Sequence, residues 1–386
     1  MEPVTHFLTG ACIGRSGCNR RTAYATVVAT LAAEAPDVDM AWSVRGPVDV
    51  LQHHRGITHT LVAAPLLAAL VVGVVWLWHR WRQRGATAAQ SAAVPVRWGW
   101  LWLTALLADL SHLVLDWANT YGLRPFFPFD RHWYAGNLVF IVEPAMLLVL
   151  VLALVVPSLL GLADREIGAR ARKPRGRALA IAALCALVLL GCWRWAEQAD
   201  ALHRLMAADV TASQPLRIAL EPYPWNPYRW HALMELPQAW QTAEIDTWTG
   251  AVDSDPTTNL LYKPKADAAT EAARRSRLGQ VYLDWSSWPV VRDVGPVEVG
   301  GIRSPVRPWT TVEFSDLRFA YSFRQMQTSG SVEGRLSEQL RESPLSGWVY
   351  LAGVGLDANT PGNATGPASP AMPTVVTQIL DGREQK

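Results

Sequence analysis

Cysteine is scarce in this sequence, and what there is suits neither a zinc finger nor a disulfide framework. The 386 residues hold four: Cys12, Cys18, Cys185 and Cys192. Cys185 and Cys192 sit inside an apolar run, where cysteine packs as a small hydrophobe. Cys12 and Cys18 flank a Gly/Arg turn with no second pair nearby, which argues against a structural zinc site of their own. The long segment after Cys192 has none, so it carries no disulfide evidence about its compartment. An excess of one charge is also missing. The formal net charge is +2 and 18% of residues are charged, so no nucleic-acid partner is expected. The opening Met1-Glu2-Pro3 lacks basic residues and His6 interrupts the short apolar stretch, so no cleavable signal peptide is expected. Insertion must use internal spans.

What is present is a split hidden by the mean hydropathy of +0.09. Residues 61–196 are strongly apolar, whereas the rest reads as an ordinary polar chain. A spanning helix needs about 20 mostly apolar residues. Leu61 to Trp78, Trp98 to Ala118, Leu138 to Leu162 and Ala178 to Trp195 each qualify. The loop from His79 to Arg97 carries Arg80, Arg82, Arg84 and Arg97 with no acid, and Gly161 to Arg177 is also rich in Lys and Arg. The positive-inside rule makes both loops cytoplasmic. Asn119 to Asn137 and everything after the fourth span are then outside. Trp76, Trp78, Trp81, Trp98, Trp100 and Trp102 fall at the cytoplasmic ends, as interfacial anchors do.

Before the first span, Thr5 to Gly14 and Thr22 to Ala35 are short helix candidates joined by an Arg-rich turn. At about 1.5 Å per residue each reaches only ~15–21 Å, so a hairpin packed on the bundle is expected, bringing His6 and Asp37 together. After the spans, alternating aromatic-rich runs (Arg229 to Leu236, Trp240 to Thr247, Thr310 to Phe314, Leu317 to Phe323) separated by turn residues point to β structure. The expected fold is an α-helical polytopic membrane bundle of about four spans plus an N-terminal helical hairpin, with a C-terminal β-rich extracytoplasmic domain. Its divisions are residues 1–60 (hairpin and ligand loops), 61–196 (bundle), 197–356 (β-rich domain) and 357–386, a tail expected to be disordered because it is rich in Pro, Gly, Ala and Thr. Asn363-Ala364-Thr365 fits a glycosylation tripeptide, a match too short to weigh.

Ionisable residues in or beside a span are costly and mark function by default. Asp109, His112 and Asp116 follow D-x-x-H-x-x-x-D, which puts all three on one helical stripe. Carboxylate, imidazole and carboxylate in a row suit a divalent metal, with one group left to orient another; the bland alternative is a polar helix contact. His53-His54-Arg55-Gly56-Ile57-Thr58-His59 adds His54 and His59 as imidazole ligands across a Gly turn. His53 is read as a bystander, and Arg55 suits a phosphoryl oxygen. In Pro36-Asp37-Val38-Asp39 the two acids, read as extended chain, point to one side. Asp130, His132 and Glu143 are weaker candidates. The arginine loops place Asp37, Asp39, His54, His59, His112, Asp116, Asp130, His132 and Glu143 towards the outer face, joined by His6 if the hairpin forms, although none of these residues entered the orientation rule.

Thr5-His6-Phe7-Leu8-Thr9-Gly10, Pro36-Asp37-Val38-Asp39, His54-Arg55-Gly56-Ile57-Thr58-His59 and Asp109-Leu110-Ser111-His112 with Asp116 together resemble the YdjM-like family of membrane-bound metal-dependent hydrolases. Asn119-Thr120-Tyr121-Gly122, Pro125-Phe126 and Asn226-Pro227-Tyr228-Arg229-Trp230 fit as well, so the resemblance covers the first ~240 residues. It implies a multi-pass, inner-membrane, metal-dependent hydrolase. The order His, Asp, His, His-x-x-x-Asp is also similar to that of secreted zinc phospholipases C. Their further His-x-x-x-Glu is missing here, since Val139 stands four residues before Glu143.

The expected ligand pool is His6, Asp37, His54, His59, His112 and Asp116, holding one or two divalent ions, most simply Zn2+, that acidify a water nucleophile. Asp109 or Asp39 would orient a ligand or accept a proton, and Arg55 would stabilise phosphoryl charge. A membrane lipid or lipid-linked phosphoester at the outer face is the expected substrate. The rivals are a divalent-ion transporter and a non-catalytic membrane anchor for the C-terminal domain.

Overall fold

A computed structural model describes residues 1–84, 94–166, 176–211, 213–255, 259–295, 309–320, 347–352, 374–380 and 383–385. The chain begins with the expected hairpin. Helix α1 (Pro3–Ile13) starts at a proline, which suits a first turn, and the Glu2 carboxylate accepts the Thr5 N–H at 2.9 Å. A π turn (Gly14–Cys18) and the single turn α2 (Asn19–Arg21) lead into α3 (Ala25–Glu34), which buries Ala25, Val28, Ala29, Ala32 and Ala33. Small residues let the two helices approach closely. A Cβ on Gly10 would lie 2.6 Å from the Ala29 carbonyl oxygen.

Pro36 opens a 3-10 helix (Pro36–Arg45), not the extended strand expected for Asp37 and Asp39. A proline at the first position favours a helical start, and the Val38 N–H bonds the Ala35 carbonyl. Helix α4 (Pro47–His53) and the short 3-10 turn Ile57–His59 follow.

Among the described residues, four helices are long and apolar enough to cross a membrane: α5 (Ala64–Gln83), α6 (Trp98–Ala118), the Pro144–Leu162 stretch of α7 (Pro144–Glu166) and α8 (Arg177–Ala207). The second matches its expected bounds. The first starts later than Leu61 because Thr60 to Ala63 form a turn, with the Leu61 N–H on the Pro125 carbonyl, and Pro65 sets the opening turn. The third starts at Pro144, since Leu138 and Val139 bond back to Ala118. Helix α6 packs between α3 and α5. Leu66, Leu70 and Val74 of α5 form an exposed i, i+4 ridge, as expected of a helix bordered by lipid.

Helix α8 does not stop at Trp195. At 31 residues it spans about 46 Å, more than the ~30 Å of hydrocarbon. Its last turns pack Ala201 and Leu205 into the C-terminal domain against Leu220, Trp230, Ala232 and Ile245. That domain holds two antiparallel sheets. In the first, β1 (Arg217–Pro222), β2 (Arg229–Glu235), β3 (Ala239–Asp246) and β4 (Ala251–Asp253) run in order, with β5 (Leu260–Tyr262) also on β3. In the second the order is β10-β9-β8-β7-β6, built from β6 (Pro289–Gly295), β7 (Trp309–Asp316), β8 (Gly347–Ala352), β9 (Thr374–Leu380) and β10 (Arg383–Gln385).

Three sequence expectations differ here. Leu317–Phe319 is a 3-10 turn rather than strand, because the Asp316 side chain caps it through the Arg318 N–H; the rest of that run lies outside the described residues. The β-rich domain also contains α9 (Ala268–Arg275) and α10 (Arg277–Trp285). The tail expected to be disordered contributes β9 and β10, since Thr374–Leu380 is β-branched and pairs with β8; residues 357–373, Asn363 included, lie outside the described residues. Tyr282 and Trp285 of α10 share a core with Val48 and Leu51 of α4. The C-terminal domain thus rests on the loops that carry the histidines.

Candidate metal centre

The stripe on α6 sets the floor of the site. Asp109, His112 and Asp116 are fully buried, and His112 and Asp116 meet His59 from the 3-10 turn before α5. Asp37 enters from the turn after α3, His6 from α1 and His54 from the end of α4. Three overlapping triads have ligand atoms within 4.8 Å of one another: His6, Asp37 and His112; Asp37, His54 and His59; and His59, His112 and Asp116. All six expected ligands are brought together.

Two donors about 2.1 Å from a tetrahedral ion stand roughly 3.4 Å apart. His59 Nε2 lies 3.1 Å from His112 Nε2, 3.3 Å from Asp37 Oδ1 and 3.5 Å from Asp116 Oδ2. His112 Nε2 lies 3.4 Å from Asp116 Oδ2 and 3.7 Å from Asp37 Oδ1. Five edges among four donors therefore cluster around the tetrahedral value.

The hydrogen bonds behind the rings fix what these nitrogens present. A backbone carbonyl only accepts, so His112 Nδ1 donates its proton to Ala33 at 2.7 Å. His59 Nδ1 faces Asp39 Oδ2 at 3.2 Å and His54 Nδ1 donates to Asp39 Oδ1 at 2.9 Å. In the neutral rings each Nε2 then carries a lone pair. Lone pairs facing one another at 3.1 Å repel unless a proton or a metal cation lies between them. Neither nitrogen of His6 nor Asp116 Oδ2 has a hydrogen-bond partner among the described residues, so these donors too are open to an ion. The residues fit a divalent metal, with the carboxylate and carbonyl behind the imidazoles in the usual supporting places.

Asp39 plays the orienting part expected of it. Its Oδ2 also accepts from the Arg55 N–H at 3.0 Å and the Thr58 hydroxyl at 2.8 Å. Burial alone would raise its carboxyl, but the hydrogen bonds from His54 and His59 outweigh that and hold it below the usual carboxylate range. It therefore stays ionised and is a poor proton acceptor.

Two expected roles are not met. Arg55 does not offer its fork to a substrate. Its Nη2 donates to Asp116 Oδ1 at 2.8 Å, and its Nη1 donates to Asn119 Oδ1 at 3.1 Å and to the Gly122 carbonyl at 2.9 Å. The buried guanidinium neutralises a ligand carboxylate instead. Asp109 does not orient a ligand: neither of its oxygens makes a hydrogen bond among the described residues, because it lies deeper along α6 and His112 turns its Nδ1 to Ala33. Asp130 bonds Tyr134 and the His132 N–H. Asp130, His132 and Glu143 belong to none of the three triads. Ala33 carries no sequence signal, because its contribution is backbone, and the Asn119-Thr120-Tyr121-Gly122 run marks Asn119 without showing that it accepts from Arg55.

The family whose model matches this chain, YdjM inner membrane protein, covers residues 1–201, the hairpin, all six ligands and most of α8. A curated relative, the uncharacterized protein YfhP of Bacillus subtilis (strain 168), is 27% identical over 152 residues. That is 37% of this chain and 42% of YfhP, so the chain spans less than half of that relative. No solved structure matches. With more than half of its length matched and four helices able to cross a bilayer, the chain is a multi-pass membrane protein and belongs to the YdjM inner membrane protein family.

Proposed function

We propose that this protein is a metal-dependent hydrolase that acts on a phosphoester, in a lipid or lipid-linked substrate, at the extracytoplasmic face of the membrane. The observation that carries the reading is the set of five donor separations between 3.1 and 3.7 Å among His59, His112, Asp37 and Asp116. His6 and His54 extend the set on either side of Asp37, enough for one ion or two close ones. Zinc suits the imidazole and carboxylate donors. When bound, a divalent ion there acidifies water towards neutral pH and polarises a phosphoryl oxygen. Asp39 and the Ala33 carbonyl hold the imidazoles in the binding tautomer, and Arg55 pairs with Asp116 and aims it.

The extracytoplasmic placement is supported by Arg80 and Arg82 in the last turn of α5, at the opposite end of that helix from His59. A transport reading is less well supported. Among the described residues, α5 and the Pro144–Leu162 stretch of α7 carry no acidic side chain along their apolar lengths, whereas an ion path needs polar groups across the bilayer.

The test is metal content in the purified full-length protein, measured by mass spectrometry, beside His59→Ala and His112→Ala. The wild type should hold at least one zinc equivalent and both variants should lose it. Chelation should abolish phosphoester turnover and zinc should restore it. Metal retained in both variants would falsify the site; metal with no turnover of any phosphoester would leave a binding protein rather than an enzyme.

A further inference from the structure

A cavity of about 490 Å3 lies beside the metal cluster, between the turn that carries Asp39 and the face of the C-terminal domain that carries Asp284. Its built feature is Arg124. This residue is 7% exposed, and its guanidinium lies between two rings, 4.6 Å from the centroid of Trp133 and 5.2 Å from that of Phe127. Its Nη1 donates to Asp284 at 3.0 Å, and its Nε has no hydrogen-bond partner among the described residues. Arg131, on the same cavity wall, is exposed. Two guanidinium groups at one pocket, one of them held in place by aromatic packing, suit the oxygens of a phosphate. The acids nearby do not cancel them. Asp39 is already bonded to His54, Arg55 and Thr58, and Asp284 is half exposed, so an arriving anion can replace it on Arg124.

The mouth of the cavity is apolar. Ile57 is 69% exposed and lines it, and Phe126 and Phe129 are exposed on the facing loop. The Leu61 N–H on the Pro125 carbonyl fastens the two loops together. From Leu61 the chain runs directly into the exposed ridge Leu66 and Leu70 of α5. A basic pocket that opens onto lipid-facing surface matches an amphiphile, with its charge in one and its chains along the other.

We propose that this cavity seats the phosphate of a membrane amphiphile, a phospholipid or lipid-linked phosphate. Arg124 and Arg131 grip the phosphate, the chains lie along α5, and Asp284 competes for Arg124 when the seat is empty. The proposal rests on the hydrolase reading above and supplies its substrate class. Gly56 lines the seat beside Arg124: a Cβ there would come 2.8 Å from the His53 carbonyl and 3.7 Å from Arg124 Nη2. The two arginines are accordingly binding residues and not catalytic ones.

Calorimetric titration of the full-length protein in a non-ionic detergent, with dioctanoyl phosphatidate, dioctanoylglycerol and inorganic phosphate, tests this. Phosphatidate should bind at least about tenfold more tightly than either of the others. Arg131→Gln should weaken it about tenfold with bound metal unchanged. Asp284→Asn, which frees Arg124, should tighten it several-fold, a gain that misfolding cannot produce. Phosphatidate binding no tighter than dioctanoylglycerol, or unaltered in both variants, overturns the seat; inorganic phosphate binding as tightly as phosphatidate overturns the lipid. The two readings fail separately. A protein that shows this binding pattern but cleaves no phosphoester keeps the seat and loses the hydrolase. One that cleaves phosphoesters while both variants bind as the wild type keeps the hydrolase and loses the seat.

Discussion

Arg55 adopts a left-handed backbone (φ +55°), which turns its side chain inwards from the loop to Asp116, Asn119 and the Gly122 carbonyl. The Arg55–Asp116 pair is buried at both ends, 4% and 1% exposed. Removing one partner of such a pair leaves an uncompensated charge, at about 3–5 kcal/mol. Arg55→Met should therefore lower stability by that order in denaturant unfolding of the detergent-solubilised protein. The double variant with Asp116→Asn should recover much of the loss in stability while still failing to hold metal. A guanidinium free to meet substrate would give only a small change in stability. That His112 and Asp116 share one face was legible in the sequence because i and i+4 on a helix fall on one stripe. The role of Arg55 was not, because a free guanidinium and an engaged one have the same sequence. Only the acceptors that the fold places around it decide between them.

Helix α1 supplies His6 to the candidate metal centre, and α3 supports the centre through one backbone atom. The Ala33 carbonyl holds His112 Nδ1, and Ala33 also lies against Gly10, where an added Cβ would sit 2.7 Å from the Ala33 Cβ. Gly10→Ala should push α3 from α1 and loosen that hydrogen bond. Zinc affinity, measured by competition with a chelator, should fall about 10–100-fold, as for other losses behind a metal ligand. Gly73→Ala in α5 has open space around its Cβ and should change nothing. Element by element, hydropathy located the four membrane helices closely, since length and apolar composition are local properties. It did not show that α8 continues into the C-terminal domain, where polar residues alternate with packing ones. Alternating aromatics pointed to β2, β3 and β7 but hid α9 and α10, although Asp267 and Ser276 cap them.

The C-terminal domain and the bundle are joined through buried polar groups. Arg318 donates to the Thr120 carbonyl at 2.8 Å, beside the turn that supplies Asn119 and Gly122 to Arg55, and Asn137 donates to Glu221 at 2.8 Å. Burial pushes the Glu221 carboxyl up to about 8, with Asp316 adding to the rise against the opposing charge of Arg318. A carboxyl that holds its proton more tightly when folded contributes stability that is complete below its ordinary value near 4.5. That contribution is lost as pH rises through about 8. The domain junction should accordingly weaken between pH 5 and 9, and Glu221→Gln should flatten the fall. Thermal melts at both pH values check this; a wild type and variant with the same pH dependence would remove Glu221 as its source.

The sequence by itself determined the membrane helices, the chemistry of the ligands and their gathering at one end of the bundle. Each follows from composition or spacing along the chain, and none depends on partners far away in sequence. Tertiary structure decided which ligand nitrogen faces the centre, that Arg55 serves Asp116, and that Arg124 stands ready beside a cavity. It also joined the C-terminal domain to the site through Thr120 and α4. Those outcomes depend on hydrogen-bond acceptors and packed rings that the fold brings together from different segments, such as Ala33 beside His112 and Asp116 beside Arg55, where no local pattern can specify them.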